Sequence, residues 1–114
     1  MVSLGGAFLF KVNGGHLWIV ITSPKEKLGT FVMVNLTTLR GNTFDRSCIL
    51  DKKDYPEFID HPSVINYEDA RLWDVHGKSG YNHWLKKGHI DPKPQISSAT
   101  LALIQQGALK SDFF

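Results

Sequence analysis

The sequence predicts a mainly β fold, namely a small and strongly bent β-barrel followed by a C-terminal helix. Two observations lead to this prediction. Short runs rich in β-branched and aromatic residues, separated by glycine, proline and charged residues, occupy the larger part of the chain. The clearest helical spacing of apolar residues comes last, around Leu101 and Ile104. Because the chain has 114 residues of even composition, we expect residues 1–114 to form a single domain.

The first three predicted strands form an antiparallel meander. Residues 7–12 are the first strand, and Asn13-Gly14-Gly15 tolerates positive φ, so a hairpin leads into the second strand at His16. The β-branched and aromatic run over residues 18–22 is typical of a central strand that is buried on both faces. A polar connection over residues 24–29 precedes the third strand, residues 30–37.

The remaining elements are shorter or less regular. Residues 47–50 and 63–67 are the fourth and fifth strands, separated by a charged loop that contains two prolines. Residues 68–73 fit either an extension of the fifth strand or a helical turn. Glycines, prolines and three histidines make residues 74–95 the segment with the least predicted structure.

The last element is predicted to be a helix that begins after Ser97 or Ser98, either of which can act as its N-cap. It ends near Lys110-Ser111, and Gly107 is expected to weaken its last turn. The apolar residues that fall on one face of this helix are Leu101, Ile104, Ala108 and Leu109.

Composition narrows the class of protein. A hydrophobic content of 42% with 21% charged residues is ordinary for a soluble globular protein, and no apolar stretch approaches the roughly 20 residues of a membrane span. The N-terminal segment lacks a cationic region before an apolar one, so no secretory signal is predicted and we expect a cytoplasmic protein. Cys48 is the only cysteine, which excludes an intrachain disulfide, and we expect it in the core. A net charge of +2 permits a nucleic acid or an acidic protein as partner.

Two histidines are candidate catalytic residues. His16 lies between a glycine turn and a core strand, where an imidazole is both held in place and accessible for proton exchange. His61 precedes Pro62, which restricts it to extended backbone angles and so fixes the direction of its ring. Such a pair suffices for metal-free RNA cleavage, with one histidine as base and the other as acid. The alternative is that both are structural residues in turns.

The segment "NLTTLRG", residues 35–41, supplies candidate phosphate ligands. Thr37, Thr38 and Arg40 combine hydroxyl donors with a guanidinium, which suit phosphate oxygens. The alternative is a solvated polar strand end. The spacing of His76, His83 and His89 matches no familiar zinc pattern, and lysines interrupt the acidic residues of the 51–60 loop. We therefore predict no metal and no cofactor.

The segments "GGHLWIVITSP" and "FVMVNLTTLRG", together with the C-terminal helix, resemble the PemK/MazF-like toxins of bacterial toxin–antitoxin pairs. The resemblance covers residues 5–41 and extends more loosely through residues 45–72 and 97–113, as in a divergent branch. It implies a small SH3-like β-barrel, usually a homodimer, that cleaves RNA without a metal and is neutralised by a cognate antitoxin. In typical members an arginine opens the strand equivalent to residues 16–21, and a threonine or serine ends the strand equivalent to residues 32–37. Thr37 matches this pattern, whereas His16 stands where the arginine is expected.

This departure leaves two functions open. In the first, the active site has been rebuilt, with His16 as base, His61 as acid, Thr37 bound to the scissile phosphate, and Thr38 and Arg40 as further phosphate ligands. In the second, cleavage has been lost and the chain binds a protein target, as the gyrase-poisoning toxins of the CcdB kind do on the same fold. The aromatic residues that such a module, a dimer contact or a stacked RNA base would use are Trp73, Trp84, Phe113 and Phe114.

Overall fold

The structure, a computed structural model, describes residues 2–12, 15–24 and 29–114. Among these residues, six strands form one antiparallel sheet with the order β4-β5-β3-β2-β1-β6, curled into a half-barrel. The strands are β1 (Ala7–Phe10), β2 (His16–Val20), β3 (Thr30–Thr38), β4 (Ile49–Leu50), β5 (Ser63–Asp74) and β6 (Ile90–Lys93). The helices are α1 (Tyr81–Lys86) and α2 (Ser98–Lys110).

The two faces of the sheet bury separate apolar clusters. On the first, which we call the α2 face, side chains such as Leu17, Val34 and Leu36 pack with Ile104 of α2. The loop between β4 and β5 adds Tyr55 to this cluster. On the second, the α1 face, side chains pack with the short helix α1; they include Phe8, Trp18, Phe31, Trp73 and Tyr81. Strands β2 and β3 contribute to both clusters, because successive side chains of a strand point to opposite faces.

The pairing of β3 with β5 changes register part-way along. Met33 pairs with Arg71 and Asn35 pairs with Asn66, so residues 67–70 of β5 lie opposite the single residue Val34. Such an irregularity bends the longer strand and increases the local twist. It explains how a sheet of this size curls.

Most predicted strands are confirmed. Residues 68–73 extend the fifth strand rather than form a helical turn, because β5 continues to Asp74. The prediction for residues 74–95 was wrong, because this segment contains α1 and β6. Strand β6 pairs with β1 at the edge of the sheet. Asn13, Gly14 and residues 25–28 of the predicted connections lie outside the described residues. No helix of the described chain is long and apolar enough to cross a membrane.

Helix α2 begins as predicted, with Ser97 as its N-cap accepting a 3.1 Å hydrogen bond from the Thr100 amide. The apolar face was predicted correctly at Ile104 but incorrectly at Leu109, which is 90% exposed. Gly107 has a packing role in addition to its low helix propensity. A methyl group at Gly107 would overlap the Tyr67 hydroxyl and lie 2.8 Å from Cys48 Cβ. Glycine is therefore what allows α2 to approach the sheet.

We predict that Gly107→Ala destabilises the protein, although alanine favours helix by about 1 kcal/mol. The added methyl group forces α2 away from Tyr67, whose hydroxyl donates a 2.6 Å hydrogen bond to the Ile104 carbonyl. Overpacking of this kind costs about 1–3 kcal/mol, which we expect urea unfolding to detect as a lower free energy of unfolding. Gly41→Ala is the control, because a Cβ there meets open space. Equal stability of the two variants would contradict the packing role of Gly107.

Candidate functional site

His16 and Thr37 lie at the same end of the sheet, where β2 begins and β3 ends. Leu17 pairs with Leu36, so the next residue on each strand, His16 and Thr37, continues that register. Opposite residues of neighbouring strands point to the same face, which here is the α1 face. Both residues are exposed. The structure thus places an imidazole and a hydroxyl on neighbouring strands in contact with solvent.

Thr37 lines a groove of about 220 Å³, which we call the Thr37 groove. One wall comes from β5, with Asn66 and Glu68, and the other from the loop after β3 and the C-terminal segment. His16 is not part of the described lining of this groove. Further lining residues are Asn42, Phe44, Asp45 and Phe113.

His61 and Thr38 are brought together on the other side of the same sheet end. They line a second groove, of about 160 Å³, with Phe58, Asp60 and Ser63. Thr38 follows Thr37 along the strand and therefore points to the opposite, α2 face. The predicted residues thus fall into two pairs on opposite faces of the sheet, His16 with Thr37 on the α1 face and His61 with Thr38 on the α2 face.

Arg40 lies in the exposed loop that follows β3. Its amide donates a 3.0 Å hydrogen bond to Thr43 Oγ1, and its carbonyl accepts a 2.9 Å hydrogen bond from Arg46 Nη2. Arg46 Nε also donates to the Thr43 carbonyl, at 3.2 Å. Arg46, which sequence reasoning did not single out, therefore holds the loop while the exposed Arg40 side chain faces solvent.

Asp45 joins the loop after β3 to the C-terminal segment. Its Oδ2 accepts a 2.6 Å hydrogen bond from Ser111 Oγ, and its Oδ1 accepts hydrogen bonds from the Ser47 amide and hydroxyl. Burial raises the pKa of Asp45, but the hydrogen bonds from Ser111 and Ser47 together outweigh that effect and hold the pKa below its usual value. These bonds fix the wall of the Thr37 groove that carries Phe113.

A polar cluster on the α1 face was missed from the sequence. Asn35, which is 1% exposed, donates a 2.7 Å hydrogen bond from Nδ2 to Asp69 Oδ2. Arg71 Nη2 donates to Asp69 Oδ1 at 3.2 Å, and its guanidinium lies 5.2 Å above the ring centroid of Trp18. Asn35 Oδ1 is buried with no hydrogen-bond partner in the described part of the chain. An asparagine within the apolar run of β3 was the signal available in the sequence.

The other candidates are mainly structural. The indole N–H groups of Trp73 and Trp84, both half-buried, donate to the Ser79 carbonyl at 2.9 and 3.1 Å. Cys48 is buried as predicted, and burial raises the pKa of its thiol. In the charged loop, Lys52 Nζ lies 3.4 Å from Asp60 Oδ1 on the surface. Within residues 2–12, 15–24 and 29–114, no three or more His, Cys, Asp or Glu side chains cluster as metal ligands would.

Comparison of the chain with protein-family models and with curated proteins finds no match.

We predict that Asp45→Asn lowers the free energy of unfolding by about 1–2 kcal/mol near neutral pH, because one carboxylate oxygen becomes an amino group that cannot accept from serine and the other becomes a neutral acceptor. The folded-state pKa is depressed, so the carboxylate stabilises the protein above its unfolded pKa of about 4, and this contribution disappears as the pH falls through the folded pKa. The difference between wild type and Asp45→Asn should therefore shrink below about pH 4. Urea unfolding at several pH values measures it.

Asp112→Asn is the matched control, because it removes an exposed carboxylate from the neighbouring segment. If Asp45→Asn and Asp112→Asn are equally stable at neutral pH, Asp45 does not fasten the groove wall.

Proposed function

We propose that this chain is a metal-independent endoribonuclease of the PemK/MazF-like toxin type, with an SH3-like barrel, acting as a homodimer and neutralised by a cognate antitoxin. The observation that supports cleavage best is the exposure of His16 and Thr37 on neighbouring strands, at one sheet end and on one face. A histidine there can accept the proton of an attacking ribose 2′-hydroxyl, and a neighbouring hydroxyl can donate a hydrogen bond to the phosphate. The resemblance of residues 5–41 to that family supports the same activity.

In the proposed reaction, His16 accepts the proton of the 2′-hydroxyl as O2′ attacks the adjacent phosphorus. Thr37 donates a hydrogen bond to a non-bridging phosphate oxygen, and Arg40 and Thr38 stabilise its negative charge. The bond between phosphorus and O5′ breaks, and His61 donates a proton to O5′. The products are a 2′,3′-cyclic phosphate and a free 5′-hydroxyl. Exchange with water then restores both histidines.

The positions of the two grooves constrain how RNA would bind. His16 and Thr37 belong to the α1 face, whereas His61 and Thr38 line the groove on the α2 face. For both histidines to act on one phosphate, the RNA backbone has to pass over the end of β3 from one face of the sheet to the other. The scissile phosphate then lies at the end of β3, between the two grooves. Arg40, in the loop that follows β3, is then available to the same phosphate.

His16 in place of arginine changes the chemistry proposed for this position. Arginine stays protonated and stabilises the transition state by its charge, whereas histidine can also carry a proton near neutral pH. We therefore assign proton transfer, rather than fixed charge, to His16.

The alternative function is a non-catalytic module that binds a protein target. It is supported by the exposure of Phe44 and Phe113, which line the Thr37 groove, and of Phe114, which follows Phe113 in the chain. Trp73 and Trp84 are less suited to this role, because each is half-buried and has its indole N–H already bonded.

We predict that the purified protein cleaves 5′-labelled RNA in excess chelator and leaves a 2′,3′-cyclic phosphate. His16→Ala should slow cleavage by about 100-fold or more, since general acid–base catalysis contributes about 100- to 10,000-fold. Thr37→Val should slow it as well, while keeping a side chain of the same shape. A substrate with deoxyribose at the cleaved position should remain intact. Rates are measured at several pH values by gel electrophoresis of the products.

His76→Ala is the matched control, because this exposed histidine follows the opposite end of β5. RNA that stays intact with wild type, or equal rates for His16→Ala and His76→Ala, would refute the proposed chemistry. If growth inhibition in a bacterial host survives His16→Ala but is lost with Phe113→Ala, the protein-binding alternative is the correct one.

A further inference from the structure

We propose that the Thr37 groove is a guanine-binding subsite in which the Glu68 carboxylate accepts hydrogen bonds from the base. This inference rests on the proposed function, since it takes RNA as the ligand. It goes further by assigning a base preference to residues that the cleavage mechanism does not use.

The groove lies directly beside the proposed reacting phosphate. Thr37, assigned to that phosphate, shares the groove with Asn66 and Glu68 of β5. Asn66 and Glu68 both belong to β5 and both line this groove. A base joined to the scissile phosphate can therefore enter the groove while its backbone stays at the sheet end.

Glu68 is an acceptor that is not yet used. Its side chain is exposed, and the hydrogen bonds and ion pairs found among the described residues do not involve its carboxylate. By contrast, Asp45 is bonded to serines through both oxygens, and Asp69 is bonded to Asn35 and Arg71. Both neighbouring carboxylates are thus already paired, and Glu68 is the one free to bind a ligand.

The groove also offers surfaces on which a base can stack. Phe44 is 92% exposed and Phe113 is 46% exposed, and both line the groove. Aromatic side chains bind the faces of nucleobases without regard to sequence, whereas hydrogen bonds to the base edge select one base. Phe44 and Phe113 would therefore supply affinity, and Glu68 would supply selectivity.

Guanine matches these groups better than the other bases. Its N1–H and N2 amino group are adjacent donors, which two carboxylate oxygens can accept together, and its O6 can accept from the Asn66 amide. Adenine and cytosine present one amino donor beside a ring nitrogen acceptor, which repels the second oxygen. Uracil presents a single N–H between two carbonyl oxygens. The carboxylate thus favours guanine and disfavours the other three bases.

The test measures binding rather than cleavage. Four 2′-O-methyl oligonucleotides that differ in one base next to the central phosphate, and a fifth with inosine there, are titrated against the full chain by fluorescence anisotropy. We expect guanine to bind about tenfold more tightly than the other three bases and inosine, which lacks the N2 amino group. Glu68→Gln should abolish this preference, while Phe44→Ala weakens binding of all five without changing their order.

Glu57→Gln, which neutralises an exposed carboxylate in the loop between β4 and β5, is the charge-matched control and should retain the preference. Equal binding of the five oligonucleotides, no binding of any, or a guanine preference that survives Glu68→Gln would overturn this inference. If RNA is cleaved but no base is preferred, the subsite is wrong and the proposed function stands. If guanine is preferred through Glu68 but no RNA is cleaved, the subsite stands and the cleavage mechanism is wrong.

Discussion

Burial of β2 and β3 on both faces is the constraint on which the rest of this structure depends. Helix α2 and the loop between β4 and β5 pack on the α2 face, and helix α1 packs on the α1 face. Helix α1 has six residues and is therefore only about 9 Å long. It packs against Phe8 and Trp73 and leaves uncovered the end of β3, where Thr37 and Thr38 are exposed. Asn66 and Thr37 lie at that uncovered end, where polar side chains reach water without a desolvation cost.

The register shift between β3 and β5 allows one strand to serve both faces. Tyr67 points to the α2 face, where its buried hydroxyl bonds to the Ile104 carbonyl and its ring packs beneath Gly107. Asp69, two residues later, bonds to Asn35 on the α1 face. In a regular strand these two residues would point to the same face. The extra residues opposite Val34 thus connect the packing of α2 with the polar cluster next to the proposed site.

The sequence predicted well those elements whose pattern is local. Strands β2 and β3 are continuous β-branched runs between turn residues, and α2 has a serine N-cap and an apolar Ile104, so their positions follow from neighbouring residues. It predicted poorly those elements that contacts between distant residues decide. Helix α1 is too short to show an apolar period, and it is held by Tyr81 against Phe8, which is far away in sequence.

The same distinction, between features set by local sequence and features set by contacts between distant residues, applies to the candidate site. Alternation along a strand already implies that Thr37 and Thr38 point to opposite faces, whereas their association with Phe113 and His61 depends on how the chain folds. The role of Gly107 likewise could not be predicted from local sequence. Helix propensity predicts only that glycine weakens the helix, whereas the close approach of Tyr67 and Cys48 is what excludes a larger side chain at this position.

A carboxylate beside an RNA site carries an electrostatic cost, which the proposed arrangement keeps small. A carboxylate and a phosphate about 8 Å apart in water repel each other by about 0.5 kcal/mol, and salt reduces this further. A bidentate contact with the matching base discriminates by about 1–3 kcal/mol, so the gain in selectivity exceeds the loss in affinity. The chain's net charge of +2 and the exposed Arg40 next to the sheet end offset that loss. In the proposed complex Glu68 therefore selects the base, and positive charge outside the groove holds the backbone.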